Sequence, residues 1–201
     1  MTHLKLRALL LPLMCGAVIT PALAQGSGDM GGPAVAGVCL LSRDAVFASS
    51  KVGQAGFARF QQLEREVTAE LDARRGPLDE EIALLRNSAS TLNPAERATR
   101  EAALNARLAP LQARSAHLRR ELDATRTKLL ERITSEMTPL VAAAYQQKKC
   151  GLLLDRASVI GGNMANDLTA DVTTALDAKI QTISFNREML PSNAVPDVPQ
   201  P

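Results

Sequence analysis

One hydrophobic repeat limits what this chain can become. From Leu104 onward, Leu108, Leu111, Ser115, Leu118, Leu122, Thr125 and Leu129 follow at alternating steps of four and three, continuing through Ile133, Met137, Leu140 and Ala144. A 3.5-residue spacing held this long is the seam of a coiled coil. Upstream, Phe60, Leu63, Val67, Leu71, Leu78, Ile82 and Leu85 recur at threes and fours or their sum, which is one face of another helix. Between them, Asn87 to Pro94 (NSASTLNP) collects turn formers, and Pro94 suits the first turn of a new helix. Two striped arms joined by a short turn bury their stripes against each other and so run antiparallel. The arms span Asp44 to Ser88 and Pro94 to Gln147. At 1.5 Å per residue the hairpin reaches roughly 60–80 Å, far beyond the ~15 Å radius of gyration of a compact domain this size. The arms must project.

Pro77, after Gly76, and Pro110 each remove a backbone donor from an arm. With the turn centred near residue 91, Pro77 lies opposite about residue 105. The two breaks are then about one and a half turns apart, which predicts a shared bend.

The segments flanking the hairpin differ in kind. Lys5 and Arg7, an apolar run from Ala8 to Ile19 and the A-x-A pattern of Ala22-Leu23-Ala24 read as a secretory signal, residues 1–24, cleaved after Ala24. The run is too short for the ~20 residues that cross a bilayer. Removal of Lys5 and Arg7 takes the formal charge from +2 to zero. Residues 25–33 are Gly-rich. Gly26 to Gly31 matches G-x-G-x-x-G but lacks the preceding strand that phosphate binding needs, so it reads as a flexible linker. Ala34 to Leu41 and Cys150 to Asp155 read as short buried strands, with Val159-Ile160 opening another. Asp167-Leu168-Thr169-Ala170-Asp171-Val172 reads as a capped helix start, the helix running to about Gln181. Residues 34–43 and 148–183 thus make a β/α body, with Val35, Val38, Leu40, Leu152, Leu154, Val159, Val172 and Leu176 as its body and oligomerisation residues. Residues 184–201, with four prolines, read as a disordered tail. The fold class is mostly α with a small β body, the long antiparallel hairpin (44–147, turn 87–94) inserted between its strands.

Chemistry-bearing residues are few. Beyond the signal the chain has one histidine, His117, which reads as a solvated helix position. A general base needs a positioned partner and an enclosed pocket, and neither is evident. No G-x-x-x-x-G-K-[ST] occurs, and Glu80-Glu81 are adjacent on a helix and do not face each other. The expectation is no enzyme, no metal and no cofactor. Aromatics are only 2% of the chain, leaving little to stack on bases, and nucleic acid is not expected as a partner. Cys39 and Cys150 fall on the two predicted body strands. In an oxidising compartment they are either a disulfide closing a long loop, worth ~4 kcal/mol, or two buried thiols acting as small hydrophobes. From Arg86 to Arg120, seven arginines (Arg86, Arg97, Arg100, Arg107, Arg114, Arg119, Arg120) stand against Glu96 and Glu101, a net of +5. The planar guanidinium fork suits phosphate or carboxylate. The tip is therefore a candidate contact for anionic lipid, lipopolysaccharide or acidic client segments, against the plainer reading of a solvated coiled-coil face.

A signal, a short strand (Val35 to Leu41), a hairpin turning at Asn93-Pro94-Ala95-Glu96-Arg97, a strand pair (Gly151 to Ile160) and the helix start Asp167 to Val172 together resemble the Skp/OmpH family of periplasmic chaperones for outer-membrane proteins. The resemblance covers about residues 34 to 183. It implies a homotrimer whose strands build a small β body and whose hairpins surround a client cavity. The function it implies is an ATP-independent periplasmic holdase for unfolded outer-membrane proteins. The rival reading is a structural or adaptor coiled coil of the envelope. Two features depart from the pattern: the neutral exported chain, and the prolines of arms and tail.

Overall fold

The computed structural model describes residues 31–191; the signal, most of the linker and residues 192–201 lie outside the described residues. Strand β1 (Val38–Leu41) opens the fold, followed by α1 (Arg43–Ser49), α2 (Lys51–Ser88) and α3 (Pro94–Gln147). Strand β2 (Leu152–Asp155), a single 3-10 turn (Arg156–Ser158) and α4 (Thr169–Lys179) complete it. The long helices α2 and α3 carry 38 and 54 residues, about 57 and 81 Å at 1.5 Å each.

Local chemistry sets the boundaries. At the hairpin turn the Asn93 side chain accepts from Glu96 N–H at 2.9 Å, and Pro94 takes the first helical position, where a missing N–H costs nothing. The first arm departs from the sequence reading, because Asp44 to Ser88 is two helices. Ser50 is extended (ψ 149°), and its hydroxyl accepts from Gly53 N–H at 3.2 Å to begin α2 afresh. Gly53 is required there, since a Cβ would lie 1.8 Å from the Phe47 carbonyl oxygen. α3 closes on Lys149, which takes a left-handed φ of 54°. Cys150 N–H then bonds the Tyr145 carbonyl and Lys149 N–H that of Gln146, satisfying the last turn.

α2 and α3 continue through Pro77, Pro110 and also Pro139. Arg107 pairs with Glu81, and Arg114 with Glu70 across the arms at 2.9 Å. These pairings centre the hairpin a little beyond Thr91. Pro110 therefore shares a small groove with Arg74 and Leu78, and the two proline levels coincide rather than standing one and a half turns apart.

The base is a small core. β1 and β2 pair in parallel, with Val38 opposite Leu152 and Leu41 opposite Asp155. A disulfide joins Cys39 to Cys150, with Cα atoms 5.7 Å apart. Cys39, Leu41, Val46, Val52, Phe60, Leu129, Ile133, Met137, Ala144, Leu168, Val172 and Leu176 form one cluster, so the roots of both arms are anchored in the body. Beyond Leu71 the arms bury only Leu78 and Leu104 until His117, as a two-helix rod must. No third strand forms at Val159-Ile160. Instead Ile160 is fully exposed, and the far edge of β1 is taken by the next segment: Leu40 N–H bonds Asn166 C=O, and Leu168 N–H bonds Leu40 C=O.

Asp167 secures that return. Its Oδ1 accepts from Thr169 N–H at 2.8 Å and its Oδ2 from Arg156 at 3.0 Å. Burial pushes its pKa up, but the bonds from Thr169 and the Arg156 charge outweigh this, and the net value lies below the ordinary one. Glu136 is likewise lowered, by the hydrogen bond and then the charge of Lys179 on α4. A depressed carboxylate adds stability above its unfolded pKa of about 3.9–4.3 and loses it as pH falls through the folded value. Asp167→Asn is therefore expected to flatten the acid limb below about pH 4, read from denaturation midpoints over a pH series. An acid limb as steep as in the unaltered protein would refute this role.

Candidate functional site

Three surfaces carry the features from which a function can be argued. The first is the distal hairpin. Arg86, Arg97 and Arg100 are exposed near the turn, and Arg97 pairs with Glu101 at 3.6 Å. Arg107 and Arg114 are neutralised by Glu81 and Glu70 on the opposite arm. Arg119 and Arg120 are not at the tip: Arg120 lies 26 residues into α3, about 39 Å from Pro94. The count of +5 took one side of a two-sided rod. With both helices included, from Glu70 to Arg120, nine arginines face seven carboxylates, a net of +2. Arg86 and Arg100 remain without an ion pair among the described residues, beside the exposed Leu84.

The second surface is the body. The eight residues assigned to it divide. Leu40, Val172 and Leu176 are buried within the chain, and Val38 and Val159 are half-buried. Val35, Leu152 and Leu154 are exposed, the last two on β2, whose outer edge has no partner strand among the described residues. An apolar, unpaired edge is a template for another chain.

The third surface was not legible as a site. Residues 181–191, read as the start of a disordered tail together with the end of the body, lie against the roots of the arms as a strap. Arg59 Nε on α2 donates to the Phe185 carbonyl at 3.3 Å. Glu188 N–H donates to Thr125 Oγ1 at 2.8 Å, and Leu190 N–H to Glu121 Oε1 at 3.2 Å, both on α3. Arg187 Nε stands 3.1 Å from Glu121 Oε2, and Lys128 pairs with Glu188 at 2.9 Å. Beneath the strap, Glu121 is fully buried and holds His117 Nε2 at 2.9 Å. His117 is therefore no solvated position: it is 8% exposed, and its Nδ1 lies 3.4 Å from Arg120 Nη2. The strap holds Glu121, and Glu121 in turn anchors the imidazole one helical turn away. A strand-like alternation, Ile183-Ser184-Phe185-Asn186, is the sequence signal that marks it. Among the described residues no group of three or more His, Cys, Asp or Glu is arranged to hold a metal, and no helix is long and apolar enough to cross a membrane.

The family model for outer membrane protein (OmpH-like) matches residues 37–176, most of the chain. The chain belongs to the OmpH-like family. Among solved structures, it is similar to a candidate outer membrane chaperone (OmpH-like) from Caulobacter crescentus CB15, with 37% identity and a TM-score of 0.67, over 83% of this chain and 96% of that one. No curated protein matches it. The OmpH-like match ends inside α4, so the strap lies beyond it.

Proposed function

We propose that this OmpH-like chain is a periplasmic holdase, independent of ATP, that shields unfolded outer-membrane proteins between its arms. The observation carrying this is the hairpin. Two helices that stand off a small core over most of their length cannot bury their flanks on themselves, and they offer long faces with scattered apolar side chains such as Leu84. Unfolded outer-membrane strands expose alternating apolar side chains and unpaired edges that aggregate. Many weak contacts along an arm keep such segments apart, and release needs no energy source if client folding into the membrane drives it. Copies associate through the body as a homotrimer, β2 and the exposed Val35, Leu152 and Leu154 supplying the shared face. Three arms then enclose one chamber.

Diluting a urea-unfolded porin into the exported form of the protein tests the reading. Turbidity is expected to be suppressed at stoichiometric chaperone. Unchanged turbidity would leave only a scaffolding coiled coil.

The arginines at the turn contact anionic groups, lipid headgroups or lipopolysaccharide included. Arg86 and Arg100 carry this role, because no carboxylate among the described residues neutralises them, and an oligomer gathers several such tips into one field. Reversing both to Glu is expected to lower binding to anionic vesicles several-fold at low salt, measured by co-sedimentation. Equal binding by the reversed protein would end the idea.

A further inference from the structure

The strap that follows α4 is bound in the way a foreign peptide would be bound. Over residues 182–187 its burial alternates: Thr182, Ser184 and Asn186 are exposed, whereas Ile183, Phe185 and Arg187 turn inward; at Glu188 the register slips by one, so that Glu188 and Leu190 turn inward and Met189 is exposed. Three of its main-chain groups are met by side chains of the arms, namely Arg59, Thr125 and Glu121. Main-chain bonds of this kind are indifferent to sequence, while alternate side chains fill apolar ground. Gly56 opens that ground: a Cβ there would lie 2.9 Å from Leu129 Cδ1 and 3.3 Å from Ile183 Cγ2. Phe185 packs on the core cluster beside it. The cleft is also wider than the strap, since about 660 Å³ remains between it and α3 along Thr125, Lys128, Leu129 and Arg132.

We propose that this face of α2 and α3 is a docking site for an extended segment of alternating apolar and polar residues, and that residues 181–191 occupy it in cis. The occupant so defined is a strand of an unfolded outer-membrane protein, so the proposal rests on the holdase reading and gives it a specific site. The strap is then a built-in competitor. It covers apolar ground at the arm roots when no client is present, and it yields when a client strand at high local concentration replaces its contacts.

The test uses the full chain and a fluorescein-labelled peptide copying residues 181–191 as probe. Ile183→Ser with Phe185→Ser loosens the strap without touching the arms. This variant is expected to bind the peptide at least about tenfold more tightly than the unaltered chain, and unfolded porin is expected to displace it. Arg187→Ala removes the ion pairs to Glu121 and Glu70 and leaves Ile183 and Phe185 in place, and it gives a smaller gain of the same sign, which keeps the test sound if the double variant folds poorly. Peptide affinity equal in all three proteins, or bound peptide that porin does not displace, would overturn the docking site. The turbidity assay on the unaltered chain separates the two readings. Protection without displacement removes this site and leaves the holdase, whereas displacement without protection keeps the site and removes the holdase.

Discussion

Replacing Cys39 and Cys150 together by alanine is expected to lower stability by about 4–5 kcal/mol. The bond closes a loop of 111 residues, and that loop is the whole hairpin. In the unfolded chain the loop ends wander widely; in the folded chain they meet at paired strands of four residues each. The short parallel pair contributes few ladder bonds, so the base depends on the cross-link more than a larger sheet would. Cys39 is also 1% exposed in the core, and alanine there leaves a small cavity that adds to the loss. Denaturant midpoints at fixed protein concentration measure it. The unaltered protein under reducing conditions should fall to nearly the same value. A loss below about 1 kcal/mol would show that the arms alone hold the base together.

Glu121→Ala is the second large effect. Glu121 is wholly buried and faces Arg187, His117 and Leu190 N–H at once. Removing a buried carboxylate that accepts hydrogen bonds to charge costs about 1–3 kcal/mol, and the loss stops there because Arg187 also faces Glu70 and can leave with the strap. The strap should detach, and trypsin should cut after Arg187, which is half-buried in the intact protein. Glu121→Gln keeps the shape and can still accept from Leu190 N–H, so its loss should be smaller. Equal tryptic rates in Glu121→Ala and the unaltered chain would mean that apolar contacts alone hold the strap.

What could be read from the residues follows the range of the forces involved. The turn at Asn93-Pro94 was legible because a cap and an N1 proline act within four residues. The seam from Leu104 to Ala144 was legible because one helical period runs unbroken along it, even though its root from Leu129 to Ala144 packs on the body cluster as well as on α2. The break at Ser50 was not: Val46, Val52 and Phe60 stay apolar on both sides of it, and only the contact between Gly53 and Phe47 reveals the bend. Val159-Ile160 has the composition of a strand, but the β1 edge it needed is filled by Asn166 and Leu168. The arginine count failed for a related reason, since Glu70 and Glu81 neutralise Arg114 and Arg107 from across the hairpin. The strap shows the limit most clearly. Prolines at and beyond residue 191 gave the tail its disordered look, while the alternating residues just before them find their partners more than fifty positions away in sequence, at Thr125 and Glu121.

The central claim is a chamber formed by projecting arms, and the mass of the client-loaded particle tests it most directly. Light scattering after size-exclusion chromatography of residues 25–201 with an unfolded porin is predicted to give a trimer holding a single client. A client bound to one chain, or a trimer that elutes without it while the porin precipitates, would contradict the account.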